Sequence, residues 1–181
     1  ASREFRDSRL MTTPPSPDHF LPGPVHRGTS IRRLSMTAAI REQIMLHLLA
    51  AAPNEGVGLL AVDAAVSDLG RATAARFFPG TNVDASPTRY TMDPVEVIQA
   101  VREMDARGWR WGAIVHSHLA SPATPSQTDL REAYYPDVVL VIVTFQVHPA
   151  EMRAWRIDQE DELRIVRGVD IEVVQPRRHG R

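Results

Sequence analysis

The stretch Trp111-Gly112-Ala113-Ile114-Val115-His116-Ser117-His118, followed beyond Leu119 to Pro125 by Ser126-Gln127-Thr128-Asp129, decides the reading of this chain. Trp111 to Val115 reads as a strand, and residues two apart on extended backbone point to the same side. His116 and His118 at its end therefore converge on one point. Pro125 followed by Ser126 looks like the entry to a helix carrying Asp129 in its first turn, and the proline-rich turn before it can fold that carboxylate back toward the histidines. Two neutral imidazoles and one carboxylate make a three-ligand zinc site with a fourth position open for water, the arrangement of a catalytic rather than a structural site. Local rules leave a second reading open: Ser126-Gln127-Thr128-Asp129 is also a capping box, in which Asp129 serves only the helix N-terminus.

Outward from this stretch, helical and extended patterns alternate. From Ser35 to Ala51 the apolar residues Met36, Ile40, Ile44, Leu48 and Ala51 recur at helical spacing, with Ser35 and Thr37 as capping candidates and Pro53 as the stop. Gly56 to Val62 reads as a buried strand, and an extended stretch Ala72 to Phe78 ends in the Pro79-Gly80 turn. A loop from Asn82 to Tyr90 leads to a helix from Asp93 or Pro94 through Met104, broken near Gly108. Beyond the central motif come a helix from about Ser126 to Tyr134, the apolar strand Val138 to Phe145, a strand Met152 to Ile157 and short extended pieces to Val174. The mixture predicts an α/β layered fold without internal repeats. Residues 31–175 form one domain on this reading, with a proline-rich segment 1–30 (Pro14, Pro15, Pro17, Pro22, Pro24) as a tail or extension and 176–181 as a C-terminal tail.

Composition bounds the chemistry. A formal charge of -1, a pI near 6.7 and scattered arginines speak against a nucleic-acid partner. The 181 residues contain no cysteine, which excludes disulfides, thiol nucleophiles and thiolate metal ligands and fits a reducing compartment. Lysine is absent as well, ruling out Schiff-base chemistry and a P-loop lysine. No secretory signal pattern is seen at the N-terminus, and the most apolar run, Val138 to Phe145, is too short to span a bilayer, so a cytoplasmic, membrane-free protein is expected. His19, His26, His47, His148 and His179 fall in no ligand spacing and read as surface or tail positions. Trp109, Trp111, Tyr134 and Tyr135 read as core aromatics.

His116-x-His118, seven residues, then Ser126-x-x-Asp129, resembles the H-x-H-x7-S-x-x-D signature of the JAMM (MPN+) zinc metalloproteases. The resemblance extends over roughly Ser35 to Val174, and Pro53-Asn54-Glu55-Gly56-Val57-Gly58-Leu59-Leu60 is similar to the family's glutamate-bearing segment. It implies a mixed central sheet flanked by helices, related to the cytidine-deaminase-like layout, with one zinc per chain on His116, His118 and Asp129. It implies that Glu55 is general base and then acid toward the zinc-activated water and the leaving amine, and that Ser126 stabilises the tetrahedral oxyanion. Asn82 to Tyr90, with Ser86-Pro87-Thr88-Arg89-Tyr90, resembles the loop of bacterial members acting on sulfur-carrier proteins, which makes Asn82 and Ser86 substrate-binding candidates. Leu119 stands where many members have proline, and Val57 where many have cysteine; neither position supplies a ligand.

The function so implied is hydrolysis after the C-terminal Gly-Gly of a ubiquitin-like, β-grasp sulfur-carrier protein, releasing cysteine or a short peptide. A homodimer is left open. The alternative from a different class is a non-catalytic MPN-type scaffold that binds protein partners, which would be expected to lack part of the set Glu55, His116, His118, Ser126 and Asp129. Zinc deaminases on a related fold need cysteine ligands and are excluded.

Overall fold

The computed structural model describes residues 30–175 apart from 68, 161 and 162, so the proline-rich segment up to residue 29, with His19 and His26, and the tail 176–181, with His179, lie outside the described residues. Ten elements follow in the order β1 (Arg33–Thr37), α1 (Ala38–Ala50), β2 (Val57–Asp63), β3 (Arg71–Gly80), α2 (Pro94–Ala106), β4 (Trp109–His118), α3 (Gln127–Arg131), β5 (Val139–Thr144), β6 (Glu151–Glu160) and β7 (Leu163–Val174). The sheet is mixed and closes on itself in the order β1-β3-β2-β4-β5-β6-β7. β1 runs parallel to both β3 and β7, and β4 parallel to β5; the other neighbours are antiparallel.

The expected mixed central sheet flanked by helices is thus correct in its mixed character, and the structure adds that the sheet closes on itself. β1 makes the difference. The helical period through Met36, Ile40, Ile44 and Leu48 extends the predicted helix back to Ser35, but Arg33–Thr37 is a strand with Leu34 and Met36 buried on one side. Thr37, not Ser35, caps α1, accepting the Ile40 N–H at 3.2 Å. Two strand partners outweigh one more helical turn, because all five β1 residues pair with β7 and Arg33, Leu34 and Ser35 pair with β3 as well. The helix expected from Ser126 to Tyr134 ends at Arg131, and Tyr134 and Tyr135 are exposed rather than core.

Every one of the seven strands contributes to one core cluster, which includes Leu34, Leu60, Ala72, Val115, Val141, Ala154 and Val169 together with Ile44 and Leu48 of α1. The face shared by all seven strands is the interior of the closed sheet. A second cluster lies on the opposite face of β2 and β3, where Val57, Leu59, Ala61 and Phe78 pack against Ala100 and Met104 of α2. Gly56, at the mouth of β2, sits so close to α1 that a Cβ there would come within 2.9 Å of the Leu48 Cα, so the chain reaches β2 only through glycine.

Leu48 is fully buried whereas Leu46, on the other face of the same helix, is 62 % exposed. Leu48→Ala should cost about 2–5 kcal/mol in denaturant unfolding, and Leu46→Ala about 0.5 kcal/mol or less. Equal losses would misplace the buried face of α1.

Candidate metal centre and its cleft

Alternation along β4 sends Ala113 and Val115 into the interior cluster and His116 and His118 to the opposite face. At the end of that strand His116 Nε2 lies 3.2 Å from His118 Nε2 and 3.3 Å from Asp129 Oδ1, and His118 Nε2 lies 3.5 Å from Asp129 Oδ2. All three residues are buried, and their ligand atoms fall within 4.8 Å of one another.

Asp129 arrives there through its helix. Ser126 Oγ accepts the Asp129 N–H at 3.1 Å and the Asp129 carboxylate accepts the Ser126 N–H at 2.7 Å, a reciprocal capping box. The two readings of Asp129 left open by the sequence are therefore compatible: one carboxylate caps α3 and turns toward both imidazoles. The loop between the histidines and α3 is held rigidly by side-chain donors. Gln146 Nε2, Thr144 Oγ1, His118 Nδ1 and Trp155 Nε1 donate in turn to the carbonyls of Ala120, Ser121, Pro122 and Ala123, at 3.3, 2.7, 2.7 and 2.7 Å.

The donor set fits a divalent cation. With His118 Nδ1–H given to Pro122, its Nε2 presents a bare lone pair toward a second imidazole nitrogen and a carboxylate. Converging acceptors repel unless a proton or a metal ion stands among them. His116 Nδ1 is buried with no hydrogen-bond partner among the described residues, so nothing but the cluster itself engages this ring apart from the Tyr90 ring stacked 4.5 Å away. Burial would raise the Asp129 carboxyl, but hydrogen bonds from His116, His118 and Ser126 hold it well below the usual range. His116 is lowered by burial; at His118 burial is outweighed by Asp129 and the Pro122 carbonyl, and its pKa rises.

Glu55 reaches the same place by strand register. Val57 pairs with His116, and the pairing continues one step: Ser117 N–H donates to the Gly56 carbonyl at 3.1 Å while Gly56 N–H donates to Ser117 Oγ at 2.8 Å. Glu55 is the next residue, and its side chain lines the same cleft as His118. Glu55 is only 6 % exposed, and burial pushes its carboxyl up to about 7, with His118 pulling it down and Asp129 pushing it up.

A cleft of about 250 Å³ opens over these groups, lined by Glu55, His118, Ser126 and Asp129 and walled by Pro87 to Tyr90 on one side and Leu119 to Ser121 on the other. Ser126 Oγ accepts from Asp129 N, which leaves its own proton available toward the cleft. Asn82 and Ser86 are not among the lining residues: the Asn82 carboxamide is bonded to main chain, and the Ser86 carbonyl accepts the Glu55 N–H at 2.8 Å. Tyr90, whose hydroxyl is held protonated by burial and by Asp129 and Glu55, lies in the loop the sequence singles out, but nothing local marks it as the neighbour of His116. His47 is half-buried rather than superficial, its Nε2 set between the carbonyls of Val57 and Gly80 at 2.9 and 3.2 Å.

Closed mixed sheet, paired histidines, a carboxylate from a helix cap and a glutamate beside them define an α/β domain built around a cluster that could hold a metal ion. The chain belongs to the family described as prokaryotic homologs of the JAB domain, which it matches over residues 37–158. It is 39 % identical over 101 residues to a probable TtuB-protein conjugate cleaving protease of Thermus thermophilus, covering 55 % of this chain and 63 % of that protein. The match therefore spans less than two thirds of the Thermus protein's length. A CysO-cysteine peptidase of Mycobacterium tuberculosis is 37 % identical over 106 residues, 58 % of this chain and 69 % of its own length. Among solved structures, a protein from Desulfitobacterium hafniense superposes with a TM-score of 0.69 at 29 % identity, covering 81 % of this chain and 96 % of the other.

With one cluster of three ligands among the described residues, the protein should take up one divalent ion, and His118→Ala or Asp129→Ala should abolish uptake while His148→Ala leaves it intact. Both imidazoles must be neutral to bind, and His118, whose pKa is raised, is the first to take a proton, so the ion should be retained at alkaline pH and lost progressively as pH falls. Elemental analysis after dialysis at each pH measures this, and undiminished metal in His118→Ala would discard the site.

Proposed function

We propose that this protein is a zinc-dependent hydrolase that cleaves after the C-terminal Gly-Gly of a ubiquitin-like, β-grasp sulfur-carrier protein, releasing cysteine or a short peptide. The observation that carries the reading is the convergence of His116, His118 and Asp129, of which His118 and Asp129 line a cleft that Glu55 also lines. Zinc in this triad would supply the Lewis acidity and the acidified water that amide hydrolysis needs at neutral pH, the pKa of such a water lying near ~7. Glu55 takes up the proton of the attacking water and returns it to the departing amine nitrogen. A carboxyl group poised near neutrality suits both halves of that transfer, and a cation beside it draws it toward the ionised form. Ser126 turns its hydroxyl proton toward the oxyanion that forms at the scissile carbonyl.

Substrate choice is supported by the shape of the cleft and by the names of the relatives. A volume of about 250 Å³ falls below the ~300–1,000 Å³ of pockets that enclose bulky ligands. A chain without side chains fits such a slot, and glycine adopts the backbone angles a tight passage demands. Main-chain bonds to an entering tail can come from the cleft walls at Pro87 to Tyr90 and Leu119 to Ser121. The Thermus relative is named for cleaving TtuB–protein conjugates and the Mycobacterium relative as a CysO–cysteine peptidase. A cytoplasmic setting suits a chain without cysteine, and among the described residues no helix is long and apolar enough to cross a membrane.

Glu55→Gln should keep its metal and lose about 10²- to 10⁴-fold in kcat, and Ser126→Ala about 10²-fold. Mass spectrometry of a carrier–cysteine adduct should show release of cysteine from a Gly-Gly tail and little from an Ala-Ala tail, with casein left whole. Equal cleavage of both tails, or casein digestion with the carrier untouched, rejects the carrier specificity. A full rate in Glu55→Gln removes that residue from the mechanism.

A further inference from the structure

The Asn82 carboxamide makes four hydrogen bonds, every one to main chain. Its Nδ2 donates to the carbonyls of Glu55 at 2.9 Å and Arg89 at 3.0 Å, and its Oδ1 accepts the N–H groups of Asp84 and Thr91, both at 3.1 Å. Two donor hydrogens and two lone pairs are all that a carboxamide has. Nothing remains with which to hold a ligand, and the residue stands outside the lining of the cleft.

What it holds instead is Glu55 and the cleft wall. Glu55 precedes β2 and is not part of a ladder, so its peptide groups need partners elsewhere. Its N–H goes to the Ser86 carbonyl at 2.8 Å and its carbonyl is the acceptor for Asn82 Nδ2, so the loop grips it on both sides. That loop is itself closed at its base, by the Asn82–Met92 bridge, by Val83 N–H on the Thr91 carbonyl at 2.9 Å and by Thr91 Oγ1 on Asp84 at 2.7 Å. The same carboxamide fixes the Arg89 carbonyl, and Arg89 and Tyr90 are wall residues.

We propose that Asn82 is a positioning residue for Glu55: its carboxamide sets the height of the Glu55 backbone beside the metal centre and ties it to the wall against which substrate lies. The proposal rests on the role given to Glu55 above. It replaces direct substrate binding by Asn82 with action through Glu55, and the two have different kinetic signatures. Removing a group that binds substrate raises KM; displacing a proton carrier lowers kcat.

Asn82→Ala removes all four bonds. Asn82→Asp keeps the acceptor oxygen for Asp84 and Thr91 but sets a carboxylate oxygen against the carbonyls of Glu55 and Arg89. Each would be compared with the parent, with Glu55→Gln and with the corresponding double variants, using zinc-loaded protein and the carrier–cysteine adduct. Zinc content should be unchanged in both single variants while kcat falls on the order of 10²-fold, the cost of a small misplacement of a reacting group. In the Glu55→Gln background Asn82→Ala should cost nothing further. Hydrogen exchange on the metal-free protein supplies a readout apart from activity: the Glu55 amide should exchange faster in both Asn82 variants. A KM effect with kcat intact, an equal loss in the presence and absence of Glu55, a full rate, or failure of both variants to fold would each overturn the proposal. Parental turnover in Glu55→Gln would instead reject the mechanism on which it rests, whatever the Asn82 variants do.

Discussion

The antiparallel pairing of β2 with β4, in the register that sets Val57 beside His116, is the constraint on which the rest of the site depends. A slip of one residue would send His116 and His118 into the apolar interior and Ser117 outward, since side chains alternate along a strand. Ser117 itself helps to prevent the slip. Its buried hydroxyl accepts the Gly56 N–H across the two strands, and Gly56 is the one residue that fits beneath the Leu48 backbone. Helix α1, the mouth of β2 and the end of β4 are locked together at one point, and both Glu55 and the paired imidazoles lie within two residues of it.

Gathering Glu55, His116, His118 and Asp129 in a buried space is unfavourable in itself, because each loses the hydration of its charged form. The protein offsets that cost with orientation. Asp129 is held by the cap of α3, His118 by the Pro122 carbonyl, and the connecting loop by donors from β5, β6 and the turn after β5. Such a site keeps its ligand atoms converged without the ion, so little reorganisation accompanies binding. The opposite wall follows a different plan: the loop from Asn82 to Tyr90 belongs to no ladder and is held by its own first residue, which also holds Glu55. One wall is braced by the barrel and the other by the Asn82 carboxamide together with the bonds that close the loop at its base.

Much of this centre is written in local sequence, and the physical reason is distance along the chain. The period of two through His116 and His118, the cap at Ser126 and Asp129, and the helix from Pro94 depend on backbone geometry over a few residues, and each stands where local rules put it. The loss of helical signal at Arg33–Thr37 belongs to the other kind. Its strand character comes from partners around residues 71–73 and 170–174, and closure of the sheet comes with it. Periodicity within the segment also matched a helix, so nothing local could separate the two.

The sequence by itself determined which residues can bind a metal and on which elements they ride, because ligand type and spacing are properties of short stretches. Only the tertiary structure decided that Glu55 lines one cleft with His118, that the Asn82 carboxamide bonds to main chain, that His47 bridges two strands and that Tyr90 lies against His116. Asn82 and the Glu55 carbonyl it holds are 27 positions apart, and His47 and the Gly80 carbonyl 33. Over such separations the chain has no stiffness to carry a preference, and register between strands, set by the packing of the whole core, takes its place.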